Sequence, residues 1–202
     1  MKLLPAVLNL ENRAVLIVGG GAVAARKASS FVECSARVTV VCPELSENFP
    51  AVHHIARKYE NGDLNGFDLV CAATNFPEIN AQIGAEAKKL GIWCNLADDP
   101  QNSDFHTAAT VRRGEIAVGI TTGGASPVLS RHVKAQIEAS LGEEYTQLLE
   151  IAGSYDIEVK NRGAFWRHLL ESEALELLKA RKREEATRLV ERFSDKFAAT
   201  SE

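Results

Sequence analysis

The feature that most constrains this chain is the run Ala14-Val15-Leu16-Ile17-Val18 passing directly into Gly19-Gly20-Gly21-Ala22-Val23-Ala24. Five consecutive apolar residues read as a strand buried on both faces. A loop of three glycines that opens a helical pattern over residues 23–34 then requires a sharp turn at the strand's end. A second apolar run over residues 37–42 completes a strand, loop, helix, strand unit. Within it, Gly19, Gly21 and Ala24 match the spacing G-x-G-x-x-A. The spacing calls for a tight turn at Gly19, close backbone approach to a pyrophosphate at Gly21 and close helix packing at Ala24, with phosphates on the helix N-terminus. A tight turn with no ligand is the competing reading, and the surrounding strands and helix favour the dinucleotide site.

The same alternation continues to residue 99. Further strands are expected over residues 53–57, 68–73 and 92–96, and a helix over residues 78–90 that Gly91 closes. These strands are too apolar for a solvated antiparallel sheet, so the expected fold class is α/β, a Rossmann-type parallel sheet with helices on both faces. A strand over residues 116–121 and a helix over residues 128–140 follow, with Ser126 as N-cap and Pro127 at the first helical position. Beyond Gly142 the composition shifts to Glu, Lys, Arg, Leu and Ala. Turns are expected at Gly153 and at Asn161-Arg162-Gly163 within a small helical unit.

Composition narrows the partners. The chain has 202 residues, room for one substantial domain and a small addition. Its 23 Lys and Arg face 27 Asp and Glu, a net charge of −4, which gives no basic footprint for nucleic acid. An anionic ligand must therefore meet a local cluster. Cys34, Cys42, Cys71 and Cys94 form no C-x-x-C pair, so reduced, mostly buried thiols are expected rather than a zinc ribbon or disulfide framework. The first ten residues are too short and too broken for a signal segment, and no run approaches the ~20 apolar residues of a membrane span. A cytoplasmic location without membrane contact is expected.

Candidate site residues gather at the expected carboxyl ends of the strands, where open parallel sheets hold ligands. Glu44 is the acidic residue nearest the end of the second strand, as a ribose contact or a solvated loop residue. A contact there would favour NAD over NADP. Thr74 and Asn75 end the fourth strand, as a cofactor contact from either or as a plain strand-end turn. Asp98 and Asp99 follow the fifth, where partial burial would suit one of them to proton transfer and where a turn or helix cap is the alternative. Arg112, Arg113, Arg131, His132 and Lys134, with Arg26 and Lys27, are the supply for a polyanion pocket, or else a solvated face. No metal site is visible in the histidine and cysteine spacing.

Four segments together resemble the precorrin-2 dehydrogenase and sirohydrochlorin ferrochelatase family, the N-terminal module of siroheme synthases. They are residues 16–27 (LIVGGGAVAARK), 72–75 (AATN), 95–98 (NLAD) and 122–129 (TGGASPVL). The resemblance implies a Rossmann domain over residues 1–112, a dimerisation segment over 113–145 and a helical domain over 146–202. It implies a homodimer that oxidises precorrin-2 to sirohydrochlorin with NAD. It also implies cofactor contacts at Gly21, Ala22, Val23, Pro43 and Glu44, which join Gly19 and Thr74 from the reading of the residues, and an essential aspartate at Asp98 rather than Asp99. Members that also chelate use the same aspartate to insert Fe2+. Precorrin-2 is a polycarboxylate, so Arg112, Arg113, Ser126, Arg131 and Lys134 are the expected substrate contacts. With the chain ending at Glu202, no methyltransferase domain is expected, so precorrin-2 would be accepted rather than made. The competing class is an NAD-sensing regulatory module without catalysis.

Overall fold

Side chains of the first strand, β1 (Ala14–Val18), alternate between two separate cores. In a computed structural model, which describes residues 3–198, Val15 and Ile17 pack with Ala24, Ala28 and Phe31 of helix α1 (Ala22–Val32). Leu16 and Val18 face the other way, onto Ile83 and Ala87 of helix α2 (Pro77–Leu90). A strand flanked by helices on both faces has no solvated side, which is why β1 is apolar at every position.

Four more strands join it: β2 (Arg37–Val41), β3 (His53–Ile55), β4 (Leu69–Ala72) and β5 (Trp93–Leu96). All pair in parallel, in the order β3-β2-β1-β4-β5. The expected Rossmann-type α/β sheet is present. The chain builds outward from β1 through β2 to β3, then crosses back to β4 and β5. Between β1 and β4 the order reverses, and such a switch point opens a crevice at the carboxyl edge. The strands are shorter there than the apolar runs suggest, so Cys42, Arg57 and Ala73 lie in the edge loops. Gly91 closes α2 in the left-handed conformation, with φ 69°, as expected.

The chain divides into two compact units, residues 1–108 and 109–202. In the second, β6 (Ala109–Arg113) and β7 (Ile116–Ile120) form an antiparallel hairpin, with Arg113 opposite Ile116. β6 escaped the sequence reading because Val111 is its one buried side chain, so it shows no apolar alternation. Helix α3 (Pro127–Ser140) starts as expected, the Ser126 hydroxyl accepting from the Leu129 amide at 3.1 Å. Helices α4 (Glu143–Gly153), α5 (Val159–Glu171), α6 (Ala174–Lys179) and α7 (Arg183–Ala198) enclose Leu148, Phe165, Leu169 and Val190. The turn expected at Asn161-Arg162-Gly163 is instead the start of α5, Arg162 N–H donating to Glu158 at 3.0 Å. Burial of Phe165 and Leu169 outweighs the roughly 1 kcal/mol that an interior glycine costs a helix.

Candidate functional site

The glycine loop is shaped by what crowds it. At Gly19, φ is 128°, and a Cβ would run into the Ala73 carbonyl oxygen with Thr74 N only 3.2 Å away. At Gly20 a Cβ would run into the Glu44 carbonyl oxygen and lie 2.8 Å from Cys42 Sγ. The loop is thus wedged between the end of β4 and the exit of β2. Ser46 N–H also donates to the Gly20 carbonyl at 2.8 Å. Gly21 is different, since nothing lies within 4 Å of its Cβ position. Directly behind it α1 begins with no side-chain cap, so the geometry of the helix leaves first-turn N–H groups for an anion. Ala22 and Val23 are exposed there, and Ala24 is fully buried. An open approach beside an uncapped helix start fits the pyrophosphate of a dinucleotide.

Pro43 and Glu44 lie exposed at the exit of β2, and the Glu44 backbone is the wall against Gly20. Cys42 anchors that wall, its Sγ donating to the Glu44 carbonyl at 3.2 Å while His54 Nε2 meets the Cys42 carbonyl at 2.9 Å. Burial pushes the Cys42 thiol up, against the opposing pull of its bond to the Glu44 backbone. Burial likewise pushes Cys71 and Cys94 up to about 12. Burial of this kind disfavours the thiolate, the nucleophilic form of cysteine. Cys42, Cys71 and Cys94 are buried, as expected, and Cys34 is half-buried.

On the other side of the crevice, a buried side chain that the sequence reading did not single out links two that it did. Asn80, 1% exposed on α2, accepts through Oδ1 from the Thr74 hydroxyl at 2.8 Å and the Thr74 amide at 3.2 Å. Its Nδ2 donates to the Thr74 carbonyl at 3.2 Å and to Asp98 Oδ2 at 3.0 Å. The Thr74 hydroxyl also accepts from the Phe76 amide at 3.1 Å. Asp98 is exposed in the turn after β5, not partly buried as expected, because β5 ends at Leu96 and the chain has already left the core. Asp99 takes the capping role. It accepts from the Asn102 side chain at 2.6 Å and the Asn102 amide at 3.3 Å, and the side-chain bond holds its carboxyl below the usual range.

Lys27 is half-buried. Its ammonium turns inward to Asn95 Oδ1 and, at 3.3 Å, the Thr107 hydroxyl, and burial lowers its pKa. Arg26 is exposed.

In the second unit, Arg112 and Arg113 are neighbours on β6 and so point to opposite faces. Arg113 lies 3.7 Å from Glu143. On α3, exposed Arg131 and half-buried Lys134 sit three residues apart on one face, and Lys134 lies 3.5 Å from Glu138. Ser126 caps α3 through its hydroxyl oxygen, and its amide donates to Thr122 Oγ1 at 3.1 Å. Arg113 and Lys134 therefore already face carboxylates of the same chain. Among the described residues, no group of three or more His, Cys, Asp or Glu side chains could hold a metal ion, and no helix is long and apolar enough to cross a membrane.

Comparison with known proteins gives two family matches. Residues 6–109 match the family described as "Putative NAD(P)-binding", and residues 113–140 match "Sirohaem biosynthesis protein central". Siroheme synthase 1 of Aeromonas salmonicida (strain A449) is 36% identical over 188 residues, covering 87% of this chain and 40% of that protein. The siroheme synthase of Ectopseudomonas mendocina (strain ymp) is 37% identical over 202 residues, covering 95% of this chain and 44% of that protein. The chain thus spans about two fifths of the length of these relatives. A solved structure titled "SirC, precorrin-2 dehydrogenase" has the same fold, with a TM-score of 0.69 at 23% identity, covering 94% of this chain and 100% of that one.

Proposed function

Because the chain belongs to the NAD(P)-binding family matched over residues 6–109, with a sirohaem-biosynthesis central segment at residues 113–140, we propose that it oxidises precorrin-2 to sirohydrochlorin with NAD+. One observation carries this reading: a glycine loop open at Gly21 and a carboxylate held at Asp98 share the carboxyl edge of one parallel sheet. Precorrin-2 loses two hydrogens in this reaction, one as hydride and one as a proton. NAD+, when bound, accepts the hydride. Asp98 is the base that takes the proton, and its exposure leaves it reachable by a large substrate.

The chain's own residues supply the rest. Gly19 sets the turn and Gly21 admits the pyrophosphate, which the backbone N–H groups of Ala22 and Val23 receive. Pro43 directs the chain out of β2 so that the Glu44 carboxylate accepts from the adenosine ribose, where it would repel a 2′-phosphate. Thr74 meets the cofactor at the end of β4. Arg112, Arg113, Arg131 and Lys134, with Ser126, bind the carboxylates of the substrate.

The same family reading makes the protein a homodimer, with residues 113–145 as its dimerisation segment. In support, α3 buries Ser130 alone among its 14 residues, while Val128 and Leu129 stand 67% and 52% exposed. Light scattering should give a dimer, and a species near 21.9 kDa would contradict it. Fe2+ enters as a second substrate, inserted into sirohydrochlorin with Asp98 receiving pyrrole protons. A metallation rate equal to the spontaneous one would remove that activity and leave the dehydrogenase. The dehydrogenase itself is tested anaerobically: NADH should form from NAD+ only when precorrin-2 is present. NAD+ binding without any NADH would make the chain a sensor instead.

A further inference from the structure

Resting on the reading of Asp98 as the base, we propose that Asn80 is a positioning residue for that carboxylate. Asn80 is the fourth residue of α2, and helical side chains lean toward the helix N-terminus. Its amide is thereby aimed back over the entry of α2, where the ends of β4 and β5 meet. A side-chain amide offers two donor hydrogens and two acceptor sites. Here Thr74 takes three of these four, and Asp98 Oδ2 takes the last at 3.0 Å.

The bonds to Thr74 suffice to lock the turn between β4 and α2. The fourth bond serves no such purpose, since it reaches an exposed residue in a separate turn. Its consequence is geometric. An exposed aspartate exchanges among rotamers, whereas a bond from an amide that is 1% exposed and fully partnered pins one carboxylate oxygen. Pinning Oδ2 aims Oδ1, the oxygen left for the transferred proton. Displacement of a reacting group by about 1 Å costs on the order of 100-fold in rate. The same amide holds Thr74, so one buried side chain sets the spacing between the cofactor's edge of the site and the base.

The test compares Asn80→Ala, the isosteric Asn80→Asp, Asp98→Ala and the double variant Asn80→Ala/Asp98→Ala in anaerobic turnover of precorrin-2 with NAD+. Asn80→Asp keeps an oxygen facing the Thr74 hydroxyl and amide and removes both amide donors, to Asp98 and to the Thr74 carbonyl. Both single Asn80 variants should lose tenfold or more in kcat, and because Asn80 also holds Thr74 at the cofactor's edge, Kd for NAD+ should rise by a clearly smaller factor than kcat falls. In the Asp98→Ala background, adding Asn80→Ala should change the residual rate by less than twofold, because the group Asn80 acts through is gone. Wild-type kcat in Asn80→Asp, an equal loss in both backgrounds, or a loss of NAD+ affinity matching the loss of kcat would each overturn the inference while leaving Asp98 as the base. Wild-type turnover in Asp98→Ala would overturn the base itself and the inference with it.

Discussion

The two sides of the crevice are built by opposite means. Where β1 meets β2, the site is made by missing side chains: Gly19 and Gly20 let three backbone segments close on one another, and Gly21 leaves a gap in front of α1. Where β4 meets β5, it is made by side chains that reach across, with Asn80 joining Thr74 to Asp98. Binding a diphosphate needs backbone and space, which glycines provide. Moving a proton needs an ionisable group held at one place, which only a supported side chain provides.

The contrast predicts that substitutions on the first side split by where a methyl group would go. Gly20→Ala has the largest expected effect. Its Cβ meets the Glu44 carbonyl and Cys42 Sγ, so the variant should lose about 2–4 kcal/mol in urea unfolding. A loss below 0.5 kcal/mol would mean that the loop is not wedged against the exit of β2. Gly21→Ala should keep stability within about 0.5 kcal/mol, because its Cβ enters open space. Its affinity for NAD+, measured by titration calorimetry, should nevertheless fall at least tenfold. Unchanged affinity would remove the pyrophosphate from that gap.

The smallest expected effect lies in the loop ahead of β4. Arg57 donates two 2.7 Å bonds to Asp63, and this pairing holds the Asp63 carboxyl below its ordinary 3.8. A depressed folded value means stabilisation that is present above 3.8 and lost as the pH falls through the folded value. The pair is partly solvated, so Arg57→Ala should destabilise only slightly at neutral pH and flatten the acid limb of the stability profile. An unchanged acid limb would show that Asp63 draws its stabilisation from the Glu60 amide instead.

The first side of the crevice is the one legible in the sequence. A glycine loop is local, so its spacing, the strand before it and the helix after it all lie within residues 14–42. The same locality made the Ser126-Pro127 helix start and the Gly91 stop readable. The second side joins residues 74, 80 and 98, whose proximity exists only after β4 and β5 pair. One signal was available. Asn80 precedes Ile83 by three and Ala87 by seven, which puts a polar residue on the buried face of α2, where it must find partners. The inward turn of Lys27 had no such signal, since its acceptors lie 68 and 80 residues away. Nor did the exposure of Asp98, which depends on where β5 stops.

That division of labour meets its most direct test in Asp98→Ala, assayed for NAD+ binding and for anaerobic turnover of precorrin-2 in the same preparation. The variant should bind NAD+ within threefold of wild type and lose at least about 100-fold in kcat, the contribution of a positioned acid or base. Wild-type turnover, or loss of binding and turnover together, would contradict it.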